Sequence, residues 1–223
     1  MKHLLGLLCG LSALVATGYS LSCVKCLAPG PNSCNGTSIN CTSDQVCLSS
    51  YEVTSRNGVK VSEIFSRDCL PRTLCDVEGS WSALGGMKSQ VATRCCFSDN
   101  CTPPEPKLPA VSNEVNGLTC PTCISVESDR CSAEDVIQCT GNENKCFLIA
   151  ADITGNVSSS LIFRGCSTEI FCVLGMQSVS SNDIHADLKV TCTNGSAGPF
   201  GGFSLLVITV ITIMISVIHC NFL

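Results

Sequence analysis

CVKCLAPGPNSC at residues 23–34 and CPTCISVESDRC at residues 120–131 share one spacing, Cys-x2-Cys-x7-Cys, at an offset of 97 residues. The same offset returns further along. Cys69 to Cys75 and Cys166 to Cys172 each enclose five residues, and Cys75 to Cys95 and Cys172 to Cys192 each enclose nineteen. A spacing that repeats at a fixed offset means two copies of one module. The first copy carries Cys23, Cys26, Cys34, Cys41, Cys47, Cys69, Cys75, Cys95, Cys96 and Cys101. The second carries Cys120, Cys123, Cys131, Cys139, Cys146, Cys166, Cys172 and Cys192. A module of about 80 residues buries too little apolar surface to be secure alone. Covalent staples at about 2–5 kcal/mol each offset that deficit.

The ends of the chain fix the compartment in which such staples form. Lys2 and His3 precede an apolar run, Leu4 to Ala16, and Gly18-Tyr19-Ser20 supplies small residues where a signal peptidase reads. Residues 1–20 are therefore expected to be a secretory signal peptide. At the other end Phe203 to Ile218 holds no charge, and Lys189 is the last basic residue of the chain. A spanning helix normally carries Lys or Arg on its cytoplasmic side. Here a run of small residues, Asn194 to Gly198, a short spacer and the apolar tail match exchange onto a glycosylphosphatidylinositol anchor. Asn194 or Gly195 is the expected attachment residue and 195–223 the removed signal; a short single-pass helix is the alternative. Both stray cysteines, Cys9 and Cys220, leave with these ends, so 18 of the 20 remain. An even, dense set in a secreted chain reads as a disulfide framework.

Inside the framework the segments read as β-hairpins. Val46 to Thr54 and Val59 to Ser66 alternate and flank Ser55-Arg56-Asn57-Gly58, and Asn-Gly is the strongest short hairpin signal. In the second copy Cys146 to Thr154 and Ser158 to Phe163 flank Gly155-Asn156. No apolar stripe of helical period occurs between the two ends. The expected class is all-β and disulfide-rich, with domains at 21–102 and 118–194. Residues 103–117 contain Pro103, Pro104, Pro106 and Pro109 and read as a semi-extended linker, stiff where proline dominates. Such a linker is expected to hold the domains apart without making them independent.

Charge separates the copies. The first has seven basic and seven acidic residues, the second four against nine. A solvated acidic face or a basic partner fits the second copy; a nucleic-acid surface does not. Catalytic signals are missing. His185 is the one histidine between the end segments, no nucleophile-elbow motif accompanies it, and disulfide-bonded cysteines offer neither a thiolate nor a zinc ligand. No cofactor or metal is expected. Asn-x-Ser/Thr sequons stand at Asn35, Asn40, Asn100, Asn156 and Asn194. Asn35 and Asn156 lie in expected loops, whereas Asn40 and Asn100 each precede a framework cysteine. For partner binding the loops are what the framework leaves free. Arg56 and Asn57 at the central tip are candidates. Trp81, the single tryptophan, is open to two readings, an interface anchor on the same face or a plug of the small core.

The ten-cysteine order ending Cys95-Cys96-Phe-Ser-Asp-Asn-Cys101, with the mature start Leu-Ser-Cys, resembles the three-finger domain of the urokinase-receptor and lymphocyte-antigen-6 family. The ten-then-eight arrangement is similar to the gamma-type phospholipase A2 inhibitors, two-module members of that superfamily. The resemblance implies two tandem three-finger, snake-toxin-like domains. It also implies the pairs Cys23–Cys47, Cys26–Cys34, Cys41–Cys69, Cys75–Cys95 and Cys96–Cys101, then Cys120–Cys146, Cys123–Cys131, Cys139–Cys166 and Cys172–Cys192. Spacing alone leaves that connectivity open. The family's asparagine after the last cysteine is Thr102 here, with Asn100 before it. Two functions follow as expectations: a glycolipid-anchored cell-surface binding protein, with a secreted form, or a phospholipase A2 inhibitor. A fingertip that modulates an ion channel is a third, with no residue to single it out.

Overall fold

The computed structural model describes residues 20–30, 33–126, 131, 135–155, 158–174, 176–181 and 184–193. Residues 1–19 of the expected signal peptide, the Asn156 sequon, Asn194, Gly195 and the rest of the expected anchor signal lie outside them. No helix among the described residues is long and apolar enough to cross a membrane.

The first module is built from β1 (Ser22–Pro29), β2 (Thr37–Asn40), β3 (Gln45–Arg56), β4 (Val59–Pro71), β5 (Glu78–Ala83) and β6 (Met87–Cys96). The second repeats the plan with β7 (Val115–Val126), β8 (Asp135–Thr140), β9 (Lys145–Gly155), β10 (Ser159–Ser167), β11 (Met176–Ser181) and β12 (Ile184–Thr193). Consecutive strands pair antiparallel as three hairpin fingers per module. The central finger closes at Asn57-Gly58 with φ of 49° and 78°. Both are left-handed, as a two-residue turn matching the strand twist demands. The nine disulfides pair Cys23–Cys47, Cys26–Cys34, Cys41–Cys69, Cys75–Cys95, Cys96–Cys101, Cys120–Cys146, Cys123–Cys131, Cys139–Cys166 and Cys172–Cys192. They gather the finger bases, where sulfur replaces the hydrocarbon that a domain of this size lacks.

Chain closure in the first module uses the residues around Asn100. Asp99 Oδ1 accepts from the Ser22 amide at 2.7 Å, and the Asn100 amide donates to Ser22 O at 2.9 Å. Asp99 and Asn100 thus tie the last cysteine loop to β1, a task the residue after Cys101 does not perform.

The modules are not held apart. The strand order is β11-β12-β9-β10-β5-β6-β3-β4-β1-β2, one sheet running through both. The joint is β5 on β10, with Trp81 opposite Ser167, Ser82 opposite Cys166 and Ala83 opposite Gly165. One apolar core spans the joint, joining Leu48, Leu74, Trp81 and Val91 to Phe147, Phe163, Phe171 and Leu188. The proline-rich segment is a strap on the first module. Pro103 and Pro106 are buried, Ser49 Oγ donates to Pro104 O at 2.6 Å, and Gln90 Nε2 donates to Pro109 O at 2.5 Å. An extended proline chain lacks N–H donors but keeps its carbonyls outward, so side chains of a sheet can hold it.

Candidate functional site

Two places were candidates from sequence, the central fingertip and Trp81, and the structure separates them. Arg56 and Asn57 are exposed at the end of β3. They lie across the neighbouring fingertip, residues 84–86. The Asn57 amide donates to Gly86 O at 2.9 Å, and the Arg56 guanidinium passes over Gly85. Gly85 and Gly86 have φ of 75° and 69°, and a Cβ on Gly86 would collide with Asn57 Oδ1. Glycine is therefore required twice in the floor beneath the two side chains. Two fingers form one tip. Val59, 68% exposed, Val61 and Leu84 surround it. Among the described residues the Arg56 guanidinium has no hydrogen bond or ion pair. A cation presented this way, beside exposed apolar groups, suits a carboxylate flanked by apolar side chains.

Trp81 is not on that face. It is 5% exposed and lies in the shared core, 4.8 Å from the Phe163 ring in an edge-on contact and 6.4 Å from Phe147. Of the two readings left open by the sequence, the plug is the one the structure has, and it plugs both modules at once. Packing dictates this. Trp81 sits on the β5 face that also carries Ala83, and in register with Ser167 that face meets the aromatic side of β10.

The junction contains residues that sequence reasoning did not single out. Glu143 is 0% exposed and accepts from Ser80 Oγ at 2.9 Å and Ser82 Oγ at 2.6 Å, so a carboxylate of the second module caps β5 of the first. Lys88 Nζ donates to Ser112 O at 2.9 Å and Thr140 Oγ1 at 3.0 Å, joining fingertip, strap and second module. A polar cleft of about 590 Å³ opens there, lined by Ser80, Lys88, Gln90, Ser112, Thr140 and Thr168 among others. Gly165 and Gly79 permit the close approach. A Cβ on Gly165 would strike Ser82 O, and one on Gly79 would sit 2.5 Å from Ile170 Cγ2. The repeat held one usable signal, because Gly165 occupies the place of Asp68 in the first copy. For Glu143 there was none; it is one acid in an acidic module.

Electrostatics on the strap side centre on Tyr51. Burial, then its hydrogen bond to Glu63, pushes the phenol up to about 12. Lys60 first, then Tyr51, holds the Glu63 carboxyl below the usual range by hydrogen bonding. The sulfur clusters Cys23/Cys41/Cys69 and Cys120/Cys139/Cys166 consist of disulfide sulfurs, which carry no thiolate for a metal. Asn35, Asn40 and Asn100 are exposed.

The u-PAR/Ly-6 domain family matches residues 19–104 and 116–197. A gamma-type phospholipase A2 inhibitor from Gloydius brevicaudus siniticus is 29% identical over 189 residues, 83% of this chain and 92% of that protein. Phospholipase A2 inhibitor NAI from Notechis ater is 30% identical over 196 residues, 86% of this chain and 96% of that protein. Testis-expressed protein 101 from Cricetulus griseus is 24% identical over 144 residues, 60% of this chain and 56% of that protein.

Proposed function

The chain belongs to the u-PAR/Ly-6 domain family, and from that premise we propose that it is an extracellular binding protein rather than an enzyme. It sits on the outer leaflet of the plasma membrane through a glycosylphosphatidylinositol anchor and captures a protein ligand with the composite tip around Arg56 and Asn57. The observation that carries the contact face is the Arg56 guanidinium, unpaired among the described residues, laid over the Gly85-Gly86 floor among exposed Val59, Val61 and Leu84. Arginine is one of the residue types in which binding energy concentrates, and the apolar groups beside it help to exclude water. The uncharged 203–218 stretch and the small residues at 194–198 support the anchor.

The anchor is tested by treating expressing cells with phosphatidylinositol-specific phospholipase C. Release of the protein is expected, and retention, or a mature peptide from 203–218, overturns it. The contact face is tested with Arg56→Ala and Asn57→Ala. Both should reach the surface normally and lose about tenfold or more in ligand binding. Parental binding by both moves the contact face elsewhere, to the acidic second module.

A second reading names the ligand as a secreted phospholipase A2. It is favoured by the inhibitors of that name, matched here over nearly their whole length. The purified protein would then slow hydrolysis of phospholipid vesicles by such an enzyme. No inhibition across the snake and mammalian secreted enzymes sinks this reading and leaves the first standing.

A further inference from the structure

β2 (Thr37–Asn40) is the last strand of the sheet, paired with β1 and with no other described strand. An open edge is a template for another chain, and proteins blunt it by keeping it short, or with lysine, proline, a bulge or a cover. β2 is short, four residues, but the other devices are not present in the strand. Thr37-Ser38-Ile39-Asn40 has no charge and no proline, and its register with β1 runs without a bulge. What flanks it is a pair of sequons, Asn35-Gly36-Thr37 at one end and Asn40-Cys41-Thr42 at the other. We propose that N-linked glycans on Asn35 and Asn40 are the cover of this edge and keep the protein from pairing through β2.

The local geometry fits attachment at these two positions. Both asparagines are exposed. Asn40 Oδ1 accepts from Ser22 Oγ at 3.1 Å, so the side chain is held by its oxygen at an exposed position, and the sugar would attach through the other atom, Nδ2. Gly36 lies so close to the Lys25 carbonyl that a Cβ would overlap it, so the loop hugs β1 and sets Asn35 beside the start of β2. Asn100 differs. Its φ is 54°, and its Nδ2 donates to Asp99 Oδ2 at 3.1 Å within the closure that ties Cys101 to β1. Asn100 is therefore left unmodified in this assignment. The sugars would crowd the outer edge of the first module at β2, with β1 and β4 between them and β3, the strand that ends in Arg56.

The test uses the full chain produced in cultured animal cells and the mature protein purified from them. Peptide mapping after removal of N-glycans should mark Asn35 and Asn40 as formerly occupied, with Asn100 bare. Asn35→Gln/Asn40→Gln should keep all cysteines oxidised and an unchanged strand spectrum, yet show a rise of about twofold in weight-average mass by light scattering as concentration increases. Adding Ser38→Lys, which puts a charge on the same edge, should restore the monomer. Unmodified Asn35 and Asn40 in the parent overturn the proposal. So does a glycan-free double variant that stays monomeric, or an association that Ser38→Lys leaves intact.

Discussion

Tyr51 donates to a carboxylate from the neighbouring strand, and both groups feel it. The folded state holds the phenol proton to about 12 against an ordinary 10.0, because burial and Glu63 disfavour the phenolate. A raised folded value contributes stability in full below the ordinary value, and that contribution is lost as pH climbs through about 12. Glu63 has the opposite sign: its contribution is present above its ordinary 4.5 and disappears as pH falls. In residues 21–223 Tyr51 is the sole tyrosine, so near-ultraviolet absorbance of a protein made from Leu21 onward titrates it alone. The midpoint should lie near 12 and move toward 10 in Glu63→Gln; a parental midpoint near 10 removes the coupling. Trp81 makes a larger contribution. Truncation to alanine empties the aromatic contact with Phe163 and Phe147 and should cost about 3–5 kcal/mol by chemical denaturation. A loss of ligand binding at parental stability would instead return Trp81 to the contact face.

At the scale of elements the decisive pairing is β5 with β10. Three registered positions, a buried carboxylate on two serine hydroxyls, and the Thr168 amide donating to Ser80 O at 2.9 Å hold it. The pair exists because β10 offers Gly165 where the first copy has Asp68. In the first module Asp68 bonds its neighbour's amide and the Lys25 ammonium at 3.0 Å, and no strand from another module lies against it. Gly165→Val should push β5 away. Overpacking of this kind costs about 1–3 kcal/mol, and Trp81, the chain's one tryptophan, reports the opening as a red shift in emission. Unchanged emission at unchanged stability would mean that β5 accommodates a side chain there. Glu143 is the polar half of the same joint. Its burial is tolerable because both oxygens accept hydrogen bonds.

For the whole molecule, a continuous sheet and a common core turn two stapled modules into one body. Because β7 already begins at Val115, the strap is 103–114, shorter than the 103–117 linker expected from sequence, and it contributes as a lid held by Ser49, Gln90 and Lys88, not as a spacer. Residues 21–102 produced alone would expose Trp81, Met87 and Val91 together with the open side of β5. They should be secreted at about a tenth of the yield of the two modules together or less and bind an apolar-surface dye, since an exposed apolar patch and an unpaired strand both drive association. Secretion of a monodisperse first module at full yield would mean that the joint is dispensable. The body also sets where a ligand can reach: the Arg56 tip, the polar cleft at the junction and the acidic second module remain open.

The sequence by itself determined the duplication, the stapled β-rich class and the central hairpin. Each rests on local information: cysteine spacing, alternation over a few residues, and the left-handed turn that Asn57-Gly58 supplies. The same locality made the Arg56 tip legible, since a loop residue beside a hairpin turn is exposed whatever else the chain does. Which cysteines belong together came from the family resemblance, because many connectivities share one spacing. Only the tertiary structure decided that Trp81 faces inward, that the proline-rich segment lies down on β3 and β6, and that Glu143 is buried between modules. These depend on β5 meeting β10, a contact between segments far apart in the chain whose patterns are each those of an ordinary strand. Side-chain alternation tells which residues share a face but not what that face will meet; the meeting is settled by the apolar area and backbone pairing that the two modules gain only together.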